Sequence, residues 1–517
     1  MFGPSSSWKR LPLSSALAAI ALLGFFGFPG HTYLHSDTQI YAPMLEHIWD
    51  PSSYPGDLVA TKPHLSYTVY DEVALGARRW FGVGFEASLI AQQLLFRAAQ
   101  AAGIYLLATA IGLTALPALG VAAIAGLGAT INGPAVLLLE FEPVPRGFAV
   151  GLVFLAIGLA ARGWPVWASA AAAVAFVYHA PTTIPFWICF LPLVLWRRQW
   201  RAMIPLAVGV GVVALAAAWQ PGVVERQHFF FQNDPGLEQL QRLRAPYNWV
   251  SRWGGTFAWQ YGLFWAASLV AIWRLRPRAG RAFLIGLPVV GLLSAPASYV
   301  LLERLRWGLM SQVQPARALL FVTAMALILS AAVGWRAGHW AESAAWFTLA
   351  FWIPTQGTLW LPAGLALALQ IRWVWVRVVV LVAAYFVIPI QHPYLETAEL
   401  DQLAEFAREH TAKDAMFLFT DVGHGLQPGI FRARALRSVY VDWKGGGQVN
   451  YYKSLADEWW ARWRECNELK YRPDMPIPAG VNYIVRTQPA AGEPVYVNKG
   501  FSVFRVPGRV RDSWFRR

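Results

Sequence analysis

Asp37 stands a few residues beyond the apolar stretch Leu11 to Gly30, where a carboxylate would sit at a water–membrane boundary. Partly shielded there, it could take a proton from an acceptor group. The position also suits an N-cap, because a helical face of Ile40, Met44, Leu45 and Ile48 begins just after it. That face predicts a helix lying along the membrane surface. A second group, Glu140, Glu142 and Arg146, occurs in LLLEFEPVPRGFA. Ionisable groups so close to hydrocarbon are costly and point either to function or to an interfacial ion pair. A third set is cationic: Arg304, Arg306 and Arg317 in LLERLRWGLMSQVQPARALL. Guanidinium forks match phosphate oxygens, so this set suits a lipid phosphate or pyrophosphate; pairing with Glu303 is the simpler use. His179 lies at the outer end of an expected helical hairpin, as a turn residue or a substrate contact. Gln93, Arg97 and Gln100 share one helix face, which should point into the bundle toward a substrate anion or neighbouring helices. Asp57 in YPGDL reads as turn chemistry. His31, His35 and His64 match no common zinc spacing.

Positioning these groups requires a membrane scaffold. The chain has 517 residues, 56% hydrophobic and only 14% charged, against about 25% charged in soluble domains. Crossing the hydrocarbon takes roughly 20 apolar residues. Besides Leu11–Gly30, read as a retained helix, apolar stretches run near 86–113, 116–133, 147–161, 165–178, 182–196, 202–219, 257–273, 282–301, 317–335, 340–353, 357–371 and 374–391. That makes thirteen predicted crossings. With the N-terminus inside, the inner flanks hold thirteen Lys or Arg against Glu342 alone, as the positive-inside rule asks. The net charge of +14 is therefore mostly topological, and a nucleic-acid partner is not expected.

Two regions follow: a transmembrane domain over 1–393, with a long first outer loop at 31–85, and an outer domain over 394–517. In the second, long apolar runs stop and charged residues become frequent. Glu396–His410 and Ser454–Leu469 read as helices. Ala415–Phe419, Ser438–Val441, Val481–Val485, Tyr496–Val497 and Phe501–Val506 read as strands. The expected fold is an α-helical polytopic membrane protein with a C-terminal soluble α/β domain. Trp459, Trp460 and Trp463 on the second helix serve either a core or a sugar-stacking surface. Cys189 and Cys466 suggest no disulfide framework. No GxxxxGK[ST], GxSxG, HExxH or CxxC pattern is present, which leaves ATP hydrolysis and zinc proteolysis unsupported.

The layout resembles the GT-C class of polytopic glycosyltransferases, over nearly the whole chain but through short motifs. They are Asp37 in His35-Ser36-Asp37-Thr38-Gln39, Trp49-Asp50-Pro51 through Pro55-Gly56-Asp57, Glu142-Pro143-Val144-Pro145-Arg146, Phe431-Arg432, and Arg437 to Lys444. The resemblance implies a polyprenyl-phosphate sugar donor, a glycan, lipid or protein acceptor on the outer face, and inverting transfer with Asp37 as general base. It further implies Glu140 or Glu142 as a second acid, because many members pair acids in the first loop whereas Thr38 and Gln39 follow Asp37 here. The resemblance leaves the cofactor open between none and a divalent cation, which would need the second acid. Arg97, Arg146, His179, Arg304, Arg306 and Arg317 would hold the donor phosphate. The class further implies a bacterial inner membrane, with the C-terminal domain periplasmic. Two rival readings are a flippase for a lipid-linked substrate, using the Gln93/Arg97/Gln100 face, and a non-catalytic assembly protein that anchors its C-terminal domain.

Overall fold

The computed structural model describes residues 13–65, 67–219, 229–390, 392, 395–472, 475–487 and 492–507. Helices follow the apolar stretches: Leu13–Phe26, Phe85–Ala110, Ala115–Ala125, Pro145–Ala161, Pro165–Trp196, Ile204–Trp219, Thr256–Leu275, Arg281–Ser298, Leu319–Arg336, Trp340–Thr355, Trp360–Ala368 and Val374–Val387. Among the described residues, Pro165–Trp196, Trp200–Ala218, Arg281–Arg304 and Met310–Arg336 are helical runs both long and apolar enough to cross a membrane. Leu13–Phe26, Ala115–Ala125, Pro145–Ala161 and Val374–Val387 are apolar but shorter. Such a set suits a multi-pass membrane protein.

The expected break between 165–178 and 182–196 is present, whereas the stretch 116–133 takes another form. The run Pro165–Trp196 is broken at His179, whose φ of −160° and ψ of 89° are not helical. The stretch 116–133 is helical only over Ala115–Ala125, then enters a hairpin of β1 (Thr130–Ile131) and β2 (Val136–Leu137). Asn132-Gly133-Pro134 supplies the turn, with Gly133 at φ +84°. Leu319–Arg336 is apolar all round, and every residue from Leu319 to Gly334 is buried, so it forms the bundle's axis. Phe85–Ala110 and Pro145–Ala161 press together through glycines. A Cβ at Gly103 would lie 2.2 Å from the Phe154 carbonyl oxygen, the close approach that small residues allow between membrane helices.

The helix Thr38–Trp49 does not lie on the membrane surface. Ile40, Met44 and Leu45 join the bundle core, while Ala42 packs with the C-terminal domain. The helix is thus clasped between two bodies, and a lipid-facing surface helix would not be covered on both sides. The next helix, Tyr70–Phe81, instead leaves Trp80 and Phe81 exposed.

The C-terminal domain is an α/β sandwich. Its strands are β3 (Met416–Phe419), β4 (Ser438–Val439), β5 (Tyr483–Arg486), β6 (Tyr496–Val497) and β7 (Ser502–Arg505), in sheet order β4-β3-β5-β7-β6. β3 runs parallel to β4 and β5, and β7 is antiparallel to both β5 and β6. Alternation along MFLF serves two cores. Phe417 and Phe419 pack with Leu400, Leu403 and Phe431, whereas Met416 and Leu418 pack with Val449, Trp459 and Trp463. Three helices cover the sheet: Ala398–His410, Gln427–Ala435 and Lys453–Tyr471.

Candidate active site

Asp37 occupies the N-cap position of Thr38–Trp49, yet its side chain makes no capping hydrogen bond. Its carboxylate turns instead to two cations. Lys444 Nζ donates to Oδ1 at 2.7 Å, and Arg146 Nη2 approaches Oδ2 at 3.5 Å. The Asp37 side chain remains 31% exposed. Burial alone would raise its carboxyl, but Lys444 and Arg146, with Arg317 beyond them, outweigh it and hold the group well below the usual carboxylate range. Burial pulls the Lys444 ammonium down, and Asp37 more than restores it, so the pair is ionic on both sides.

Both glutamates from the second outer loop act on this constellation indirectly. Glu142 Oε1 accepts the His35 and Ser36 amides at 2.7 and 2.6 Å and the Thr38 hydroxyl at 2.9 Å. Its Oε2 accepts the Thr38 amide at 3.0 Å. Glu142 therefore shapes the turn that presents Asp37. Burial pushes its carboxyl up to about 7 against the Thr38 amide, which favours the charged form. Glu140 binds Arg146 Nε at 2.7 Å and so orients that guanidinium. Either was expected as a second catalytic acid; in the structure both carboxylates are bound by donors of the chain itself, and neither lines the cavity described below.

The polar face of Phe85–Ala110 supports the same loop. Arg97 donates to the carbonyls of Gly24, Gly30 and Glu140 at 2.7–2.8 Å. Gln93 Nε2 also donates to Glu140 O, and Gln100 donates to Leu138 O. This face points inward as expected. The terminal nitrogens of Arg97 are committed to backbone carbonyls, and its Nε is buried without a partner; Arg97 does not line the apolar cavity described below.

Lys444 comes from the C-terminal domain, 407 residues beyond its partner. A buried three-residue interlock brings it there. Asp57 accepts the Val59 and Ala60 amides on Oδ1, closing the expected turn, while Oδ2 accepts Arg432 Nε at 2.8 Å. Arg432 also donates to Asp442 Oδ1, whose other oxygen caps the Gly445 amide at 3.0 Å. Side-chain exposure across the trio is 0–2%. Asp442 thus fixes the first residues of the 3-10 turn Lys444–Asn450. The KGGG sequence permits the fit, since a Cβ on Gly446 would meet Trp459 at 2.3 Å. Trp459 donates its indole N–H to Asp442 O, and with Trp463 it is buried. These tryptophans are core, and Trp460 is only partly buried against them.

Beside the carboxylate lies a cavity of about 450 Å³, almost wholly apolar, between Pro165–Trp196, Arg281–Ser298 and the segment that opens Leu319–Arg336. Its polar lining includes Arg146, His179, Gln314 and Arg317. Ile188 and Leu293 in the wall are 52% and 61% exposed, so the cavity opens toward the apolar flank. Arg317 makes no salt bridge among the described residues, its Nε is buried without a partner, and Tyr247 lies 5.8 Å from its guanidinium. Gln314 Oε1 is similarly unpartnered. His179 Nδ1 bonds the Thr182 hydroxyl at 2.8 Å, a local turn contact at the helix break.

Arg304 and Arg306 do not join this group. Arg306 pairs with Glu238 at 3.2 Å and is half-exposed, and Arg304 is stacked over Tyr299. Arg304 ends the π-helical turn Tyr299–Arg304 and Arg306 follows it, and neither lines the cavity. A divalent cation does not fit the acids: Asp37 is bound by Lys444 and Arg146, Glu140 by Arg146, and Glu142 by amides. No cluster of three metal-ligating side chains exists among the described residues.

Residues 398–466, which include Lys444, match a family described as "Domain of unknown function (DUF6798)". No curated protein matches this chain in sequence. In structure it is similar to the apo form of the Archaeoglobus fulgidus oligosaccharyltransferase, at 12% identity and a TM-score of 0.43, over 93% of this chain and 70% of that one. ArnT from Cupriavidus metallidurans in the apo state is similar at 14% identity and a TM-score of 0.39, over 95% and 97%.

Proposed function

We propose that this protein is an inverting membrane glycosyltransferase that takes a sugar from a polyprenyl-phosphate donor at the outer face of a bacterial inner membrane. The observation that carries the reading is Arg317: a guanidinium without a carboxylate partner in the wall of an apolar cavity, next to Arg146 and Asp37. A partly buried charge left uncompensated is costly unless a ligand supplies the opposite sign. An apolar cavity ending in guanidinia suits a lipid whose head carries phosphate.

In the reaction, Arg317 and Arg146 hold the donor phosphate. The acceptor hydroxyl gives its proton to Asp37, and its oxygen bonds to the anomeric carbon as the bond from that carbon to the phosphate oxygen breaks. Lipid phosphate leaves as the anion, stabilised by the same guanidinia. The arginine-rich inner flanks support a cytoplasmic N-terminus and a periplasmic C-terminal domain. The acceptor is a glycan, lipid or protein.

The test uses farnesyl phosphate as a short lipid-phosphate probe on the full chain in nanodiscs. Arg317→Met should weaken binding by about tenfold or more, the worth of a charge-assisted hydrogen bond. Asp37→Asn should bind the probe at least as tightly as wild type and lose sugar transfer. Unchanged binding in Arg317→Met, or full transfer by Asp37→Asn, would refute the assignment.

A further inference from the structure

We propose that Lys444 is a donor-phosphate ligand supplied by the C-terminal domain, and that it pairs with Asp37 only while the phosphate is absent. The proposal rests on the lipid-phosphate reading above and deepens it.

The geometry concentrates three cations, Lys444, Arg146 and Arg317, on two carboxylates, Asp37 and Glu140. Glu142 is set aside on backbone amides. Arg317 has no salt bridge among the described residues, so a phosphodiester monoanion can engage it without displacing a carboxylate. Lys444 and Arg146 grip opposite oxygens of the same carboxylate, and Arg146 also lines the cavity. A phosphate on Arg146 therefore arrives within a side-chain swing of the ammonium. Lys444 is suited to that move. Its charge ends a flexible stem, its other recorded bond is a 3.2 Å contact with Ser36 Oγ, and its backbone is fixed by Asp442.

The exchange has a chemical consequence. A carboxylate clamped by an ammonium is a weak base, so Asp37 would be held in check in an empty site. Once phosphate competes for Lys444, the carboxylate is freed to accept the proton of the incoming hydroxyl. Proton abstraction is thereby tied to an occupied donor site. The C-terminal domain becomes part of the active site rather than an anchor or an acceptor platform.

Farnesyl phosphate binding, measured by calorimetry on the full-length protein in nanodiscs, tests the exchange through a double-mutant cycle. Lys444→Met should weaken binding about tenfold or more, and Lys444→Arg should restore most of it. Asp37→Asn should tighten binding about tenfold in the wild-type background, by releasing Lys444, and should have little effect beside Lys444→Met. An equal gain from Asp37→Asn in both backgrounds would mean simple removal of a repelling charge and would overturn the proposal. So would wild-type affinity in Lys444→Met. If Lys444→Met does not fold, Lys444→Gln is read in the same way. Failure of the parent reading looks different: wild type does not bind the probe, or Arg317→Met binds it undiminished, and the first of these sinks both.

Discussion

Replacing Arg432 by Met should uncouple the C-terminal domain from the first outer loop. Arg432 is 1% exposed and bridges Asp57 and Asp442, at 0% and 2%. Removing one partner of a buried ion pair costs roughly 3–5 kcal/mol, because the charge left behind is uncompensated. Here two carboxylates lose the same cation. Asp57 keeps the Val59, Ala60 and Val439 amides, and Asp442 keeps Gly445, so the lower figure is the better expectation. The other charged ties, Lys62–Glu458, Lys413–Asp50, Lys444–Asp37 and Arg434–Glu86, are at least partly exposed, and such pairs are worth about 0–1 kcal/mol each. They cannot replace the interlock. Hydrogen exchange reads the loss locally, since the Val439 amide donates to Asp57 and the Gly445 amide to Asp442. A loss of about 3 kcal/mol corresponds to roughly a hundredfold faster exchange at these two amides. Amides within Leu319–Arg336 should be unaffected. Arg432→Lys should not rescue, because one ammonium cannot reproduce the forked contact with two acids. Exchange at Val439 and Gly445 within threefold of wild type would refute the claim that this trio positions Lys444.

Neighbouring residues give sharper contrasts. Gly446→Ala should destabilise the protein by about 1–3 kcal/mol through collision with Trp459, whereas Gly447→Ala meets nothing within 4 Å and should be close to neutral; thermal melts of the two variants check this. Glu142 sets a pH dependence. Burial raises its carboxyl from 4.5 to about 7 in the folded protein, so the folded state binds the extra proton between those values. Its contribution to stability is therefore full below pH 4.5 and lost as pH rises toward 7, and Glu142→Gln should flatten that fall in a melting-temperature series across the same window.

Much of the scaffold was legible from residue type and order. Apolar length marks membrane helices, because the bilayer tolerates little else, and β3 to β7 fall where short apolar runs alternate with turns. The corrections come from groups whose partners lie far along the chain. Arg97 reads as an anion ligand until three carbonyls from two other segments are seen to occupy it. Glu142 reads as a second acid until it is found holding the turn before Asp37. Arg304 and Arg306 share a sequence neighbourhood with Arg317 but not its place: one stacks over Tyr299 and the other pairs with Glu238, and neither lines the cavity. Lys444 closes one of the short motifs of the resemblance, Arg437 to Lys444, but nothing there marked its ammonium as a partner of Asp37, although close backbone approach is what the following glycines permit.

By itself the sequence determined the membrane class, the alternation of a polytopic bundle with a small α/β domain, and the presence of an acid just beyond the first helix. Those properties are local: they depend on hydrophobic length, on period and on charge counted along one strand of chain. Tertiary structure decided which charges meet. Asp37 faces Lys444 and Arg146 instead of capping its helix, Arg317 is left without an acid, and Asp57, Arg432 and Asp442 lock the two regions together. Electrostatic partnership depends on distance in space and on burial, and neither can be counted along the chain.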